Sequence, residues 1–211
     1  MKRRTVLAFL ISFVALGAAP DRLLAAPAPG TPSRPDALRL AMRKLWEDHI
    51  TWTRLFIVSA LGDLPDKAAT TDRLLQNQSD IGNAIKPFYG DAAGDKLTAL
   101  LRDHILIAAE IVTAAKAGDN AKLEGAKARW SSNADEIASF LSAANPANWP
   151  ASDMKSMMRD HLTLTTSELE ARLNKDWKAD VAAYEKIHGQ VLTMADMLTD
   201  GIARQFPGKL K

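Results

Sequence analysis

The sequence predicts an all-α fold, a six-helix bundle made of three repeated antiparallel helical hairpins. Three observations carry that prediction. No stretch alternates apolar and polar residues for long enough to demand a strand. Beyond residue 35 the prolines are Pro65, Pro87, Pro146, Pro150 and Pro207, and each falls where a helical pattern stops. Asp-His followed by an aliphatic residue occurs three times, at spacings of 55 and 57 residues.

Composition bounds the rest. The chain has 211 residues, 47% hydrophobic and 25% charged, with no cysteine. That is enough for one well-buried core, and it excludes disulfide-stapled, thiol-dependent and cysteine-ligated metal proteins as well as disordered tails. The net charge is +2 overall, but residues 1–28 contribute +3 through Lys2, Arg3, Arg4 and Arg22 against Asp21, so the remainder carries −1. A near-neutral body gives no support to nucleic-acid binding.

The first element reads as an address. Met-Lys-Arg-Arg precedes an apolar run from Thr5 to Ala19, and Ala26-Pro27-Ala28 supplies an A-x-A site. This is the pattern of a secretory signal peptide over residues 1–28, followed by a linker over 29–35 and a single helical domain over 36–207. The run is short for a spanning helix, which needs roughly 20 apolar residues. The expected destination is the periplasm or the exterior, with an uncleaved N-terminal anchor as the alternative. Arg3-Arg4 in this setting also fits a twin-arginine signal, used to export folded proteins.

Six helices follow, over about 35–61, 67–87, 91–117, 119–143, 152–173 and 176–205. Gly62, Gly90 and Gly118 mark further breaks, and the short connections imply antiparallel neighbours. The hairpins fall over about 35–87, 91–143 and 152–205. Their first helices contain L-W-E-D-H-I-T-W-T, L-L-R-D-H-I-L-I-A and M-M-R-D-H-L-T-L-T. Their second helices contain N-Q-S-D-I-G-N-A-I, N-A-D-E-I-A-S-F-L and M-A-D-M-L-T-D-G-I, where Asp80 aligns with either Asp135 or Glu136. A unit of about 55–60 residues repeated three times is an internal-repeat signal.

Helical geometry turns the histidines inward, because residues at i, i+3, i+4 and i+7 share a face. His49 shares its face with Met42, Leu45, Trp52 and Phe56. His104 lies with Leu97, Leu100, Ile107 and Ile111, and His161 with Met154, Met157, Leu164 and Glu168. A buried imidazole needs partners, since an unsatisfied buried polar group costs about 1–3 kcal/mol. The partner helices offer the carboxylates Asp80, Asp135 or Glu136, and Asp196. If the hairpins close around one axis, His49, His104 and His161 converge with them as ligands or second-shell partners. That set suits a divalent metal such as zinc, iron or manganese, or a small polar ligand. Thr53 and Thr165, four residues after their histidines, could add hydroxyls.

The alternative is a non-catalytic structural or protein-interaction module whose histidines only satisfy a polar core. No His-Glu-x-x-His motif is present, and Glu185 with His188 is the single Glu-x-x-His. Met154, Met157 and Met158 beside His161, with Met194 and Met197 across the hairpin, would suit copper(I). Copper ranks below the other metals on sequence grounds, because methionine usually fills cores. Arg54 has Glu110 or Glu168 as candidate ion-pair partners, and His188 has Glu185 or solvent. The tryptophans read as core and cap residues. Nucleophile elbows, phosphate loops and dinucleotide units are absent, so no catalytic residue is assigned. A histidine phosphotransfer bundle would need an exposed histidine.

The stretches D-H-I-T-W-T-R, L-L-Q-N-Q-S-D-I-G-N-A-I-K-P-F-Y-G, N-A-D-E-I-A and M-A-D-M-L-T-D-G-I-A-R-Q-F-P resemble a largely uncharacterised family of small bacterial helical proteins. The likeness covers roughly residues 36–207. Some members carry the labels glycosyltransferase or acetylglutamate kinase. Both activities bind nucleotides on sheet-containing folds, whereas this chain has neither a predicted strand nor a nucleotide loop. The resemblance therefore implies the helical fold and supplies no catalytic residue.

Overall fold

The computed structural model describes residues 33–210. The predicted signal peptide, and the linker as far as residue 32, lie outside the described residues. Six α-helices account for nearly all of the rest: α1 (Arg34–Leu61), α2 (Lys67–Tyr89), α3 (Asp91–Ala117), α4 (Asn120–Ala144), α5 (Ala151–Leu173) and α6 (Trp177–Gln205), with a short 3-10 turn over Pro207–Leu210. No strand occurs among the described residues, and none of their helices is long and apolar enough to cross a membrane.

The helix ends follow from local chemistry. Ser33 caps α1, its Oγ accepting from the Asp36 amide at 3.3 Å, and Pro35 occupies the first turn where a missing N–H costs nothing. Asp119 and Asp176 cap α4 and α6 in the same way, accepting from Lys122 N at 3.1 Å and Ala179 N at 3.0 Å. Gly118 ends α3 at φ 68°, a left-handed conformation that suits glycine. Pro87 departs from its expected role as a stop. Helix α2 runs through it to Tyr89 before Gly90 breaks the path at φ 86°. A proline in the last turn forfeits a single backbone bond, which is not enough to end a packed helix.

Each helix packs against the next in sequence, and α6 returns to pack on α1, so the six form a closed circuit. Trp149 locks the α4–α5 connection onto α6, its Nε1 donating to Met197 O at 3.3 Å, while Asn145 Nδ2 donates to Gly201 O at 2.9 Å. The interior divides into two apolar clusters. One holds Met42, Trp46, Ile81, Leu97, Ile137, Met158, Val191 and Leu198. The other holds Phe56, Ile57, Leu74, Ile105, Ile111, Trp130 and Leu169. On α3 the boundary between the clusters falls at His104, on α1 it falls just beyond His49, after Ile50, and on α5 Leu162 packs against both sides.

Candidate functional site

His49, His104 and His161 come from α1, α3 and α5 and are 3%, 3% and 5% exposed. The His49 and His161 ring centroids lie 5.7 Å apart, and those of His104 and His161 lie 6.2 Å apart. Trp46 flanks His49 at 5.7 Å and Trp130 flanks His104 at 5.1 Å, so five rings run in succession across the bundle. Burial is the leading reason that all three imidazoles titrate below their ordinary range, with His104 pushed down to about 3; mutual repulsion adds to it at His49 and His104. They are neutral at pH 7.

Each histidine is held through Nδ1 by an amide side chain 29 residues further on. His49 meets Gln78 at 3.4 Å, His104 meets Asn133 at 2.8 Å and His161 meets Gln190 at 3.2 Å. A second contact recurs as well: an amide N–H donates to the carbonyl four residues before each histidine. Asn133 reaches Leu100 O at 3.0 Å and Gln190 reaches Met157 O at 3.2 Å. On α2 Asn77 takes over this contact, donating to Leu45 O at 2.9 Å.

At His104 and His161 these contacts fix the tautomer. The amide nitrogens of Asn133 and Gln190 are spent on carbonyls, so Oδ1 and Oε1 face the rings, and His104 and His161 donate from Nδ1–H. Their Nε2 atoms keep the lone pair. Gln78 is set the other way. Its Nε2 gives its two hydrogens to Leu74 O at 2.8 Å and Asn77 Oδ1 at 3.1 Å, and His49 Nδ1 lies further off at 3.4 Å, so this contact does not set the His49 tautomer. His104 Nε2 is buried without a hydrogen-bond partner, as are Gln78 Oε1 and the indole N–H groups of Trp46 and Trp130.

The carboxylates lie elsewhere. Asp80 is 3.6 Å from Arg73 and accepts from Gln76 Nε2 at 3.1 Å, whereas Asp135 is 3.7 Å from Arg159. Asp196 accepts from Arg43 Nε at 2.7 Å and pairs with Arg39 at 3.1 Å; the Arg43 bond leads in holding its carboxyl down at about 2. None of the three meets an imidazole, and among the described residues no group of three or more His, Asp or Glu side chains stands ready to hold a metal ion. The hydroxyls of Thr53 and Thr165 donate to the backbone carbonyls of His49 and His161 at 2.8 and 2.9 Å.

A second buried polar cluster lies one helical level away. Arg54 bonds Glu168 at 2.6 Å and Asp180 at 2.9 and 3.1 Å, and Arg172 bonds Asp180 at 2.6 Å. Of the two candidate partners of Arg54, the structure selects Glu168, because Glu110 pairs with Arg129 on the surface. His188 bonds Glu47 at 2.9 Å rather than Glu185.

Compared with protein families, curated proteins and solved structures, the chain matches none.

Proposed function

We propose that this is an exported bundle of three copied hairpins that binds a metal ion or small polar ligand through His49, His104 and His161. Asp80, Asp135 and Asp196 stand outside the ligand set in this reading. The observation that carries it is the buried, unpartnered Nε2 of His104 on a ring whose Nδ1–H is held by Asn133. Ligand histidines are commonly oriented in this way, with the second ring nitrogen fixed by an outer partner. Export rests on the basic, apolar and Ala-x-Ala pattern of residues 1–28.

A second reading, a structural or interaction module with a satisfied polar layer, is favoured by the amide on every Nδ1. Elemental analysis of untagged protein purified without chelator separates the two. About one metal per chain, lost in a folded His49→Ala, His104→Ala, His161→Ala triple variant, is the expected result. Folded native protein that stays empty after incubation with zinc, iron, manganese and copper overturns metal binding and leaves the structural reading.

A further inference from the structure

We propose that Gly90 is a hinge through which the chain exchanges its first hairpin, α1–α2, with a second copy of itself. In the exchanged dimer, His49 of the partner subunit would complete the layer of His104 and His161. The exchange goes beyond the ligand-binding reading and does not rest on it.

The length of the α2–α3 connection leads there. The other helix connections span two to six residues, whereas Gly90 alone joins Tyr89 to Asp91. Helix–helix connections usually take about two to eight residues, and short hinges under strain invite exchange between copies. Gly90 reverses the chain at φ 86° and ψ 167°, a region open in practice only to glycine.

Its hydrogen bonds are already those of an uninterrupted helix. Gly90 N–H donates to Lys86 O at 2.9 Å, and its carbonyl accepts from Gly94 N–H at 3.2 Å. Both have the four-residue spacing of the α-helix. Turning one residue to helical torsions would therefore join α2 and α3 into a single helix over 67–117, about 75 Å long. The first-turn N–H groups of Asp91, Ala92 and Ala93, unused inside α3, would then donate to the carbonyls of Pro87, Phe88 and Tyr89. Pro87 is no obstacle, because α2 already runs through it.

The hairpin that would move is self-contained at the histidine layer. The contact of His49 with Gln78, and that of Asn77 with Leu45 O, lie wholly within α1–α2. What the hairpin gives up on leaving is remade on the second copy. These contacts are Lys86–Asp95 at 2.7 Å, Lys116–Asp63 at 2.5 Å, Arg54 with Glu168 and Asp180, and the approach of Gly82 to Gly94. Closed chain and dimer thus differ chiefly at the hinge.

A latch favours the closed form. Lys209, in the terminal 3-10 turn, donates to Pro87 O at 2.6 Å and lies over the Phe88 and Phe206 rings. A continuous helix would claim Pro87 O for Asp91 N–H, so Lys209 must let go before the hinge straightens.

The test is analytical ultracentrifugation of the full protein, before and after refolding from urea at high concentration. Wild type should be a monomer that yields dimer on concentrated refolding, where second copies compete with the chain's own hairpin. Gly90→Ala, strained in the turn but favoured in a helix, should lower the dimer dissociation constant by more than about 100-fold. Lys209→Ala should lower it by about three- to thirtyfold, through loss of a cation at the end of α2. Inserting Gly-Ser-Gly after Gly90 should abolish the dimer. Carbodiimide, which joins the Lys86 amine to the Asp95 carboxylate, separates exchange from ordinary association. In dimers refolded from equal parts of unlabelled and nitrogen-15-labelled chains, about half of the Lys86–Asp95 linked peptides should be mixed. A dimer whose linked peptides are all unmixed would overturn the proposal, as would a Gly90→Ala chain that folds as a monomer at every concentration. If Gly90→Ala does not fold, the wild-type cross-link decides, and absence of wild-type dimer then overturns it.

Discussion

Asn133 holds His104 from both ends of its amide: Oδ1 accepts from His104 Nδ1–H at 2.8 Å, and Nδ2 donates to Leu100 O at 3.0 Å. The second bond sets the direction of the first, and so fixes which ring nitrogen is free. Asn133 is 6% exposed, so water cannot readily replace it. Asn133→Leu should destabilise the fold by about 1–3 kcal/mol, the cost of orphaning a buried donor. Gln190 makes the same pair of contacts but is only half buried, so Gln190→Leu should cost less. Urea denaturation of both variants checks the order; equal costs would mean that solvent reaches both clamps alike.

The neutral histidines give stability a defined pH dependence. His104 is pushed down to about 3 when folded, mainly by burial, against 6.5 as its ordinary value. Its folded pKa is the lower one, so the unfolded chain takes up the proton first. Stability is complete above about 6.5 and is lost as the pH falls towards 3. At pH 5 His104 alone should have cost about 2 kcal/mol relative to pH 8, and His49 and His161 act in the same direction. Urea midpoints of chelator-treated Glu168→Gln protein at pH 8, 6.5 and 5 would reveal it, because Glu168 titrates in the opposite sense over the same range and would mask the histidines in the wild type. A flat profile would show that the imidazoles are solvated.

The fold was legible in the sequence because Pro65, Gly118 and Pro150 punctuate strongly periodic segments. The helix bounds expected from them agree with the observed ones to within two residues. His49, His104 and His161 were legible because each interrupts an apolar stripe. Their partners were missed because charge is more conspicuous than an amide. At 100° per residue, Asp80 and Asp135 sit two positions, or about 200°, beyond Gln78 and Asn133, and Asp196 sits six positions beyond Gln190. Each carboxylate therefore faces away from the ring that its neighbour holds. The available signal was the constant offset of 29 residues from each histidine to Gln78, Asn133 or Gln190.

Helices α2 and α3 approach closely at Gly82 and Gly94. A β-carbon on Gly82 would collide with Thr98 Oγ1 and come within 2.6 Å of the Gly94 carbonyl oxygen. Thr98 can rotate, but a helix carbonyl cannot, so the helices would have to separate. Gly82→Ala should cost about 1–3 kcal/mol through overpacking, despite the higher helix propensity of alanine. Gly125→Ala, where a β-carbon meets nothing within 4 Å, is the control and should be neutral or stabilising. Thermal melts of the two variants settle it, and a Gly82→Ala melt at or above wild type would mean the pair has slack.

Glu168 titrates in the opposite sense to the histidines. It is 2% exposed, and burial pushes its carboxyl up to about 7 against the pull of Arg54 at 2.6 Å. The folded pKa lies above the ordinary 4.5, so the folded state holds the proton more tightly. This contribution is complete below about 4.5 and is lost as the pH rises through about 7. Glu168→Gln copies the protonated form and leaves Arg54 bonded to Asp180. The variant should therefore gain on wild type by about 3 kcal/mol between pH 4.5 and 8.5, measured as paired urea midpoints. A difference that does not change with pH would mean that Arg54 keeps Glu168 ionised throughout. Arg54→Leu should be far more damaging, at about 3–5 kcal/mol near pH 8, because it leaves Glu168 buried without the cation it is bonded to and Asp180 with Arg172 alone. That variant should recover part of its loss on acidification, as Glu168 takes up a proton.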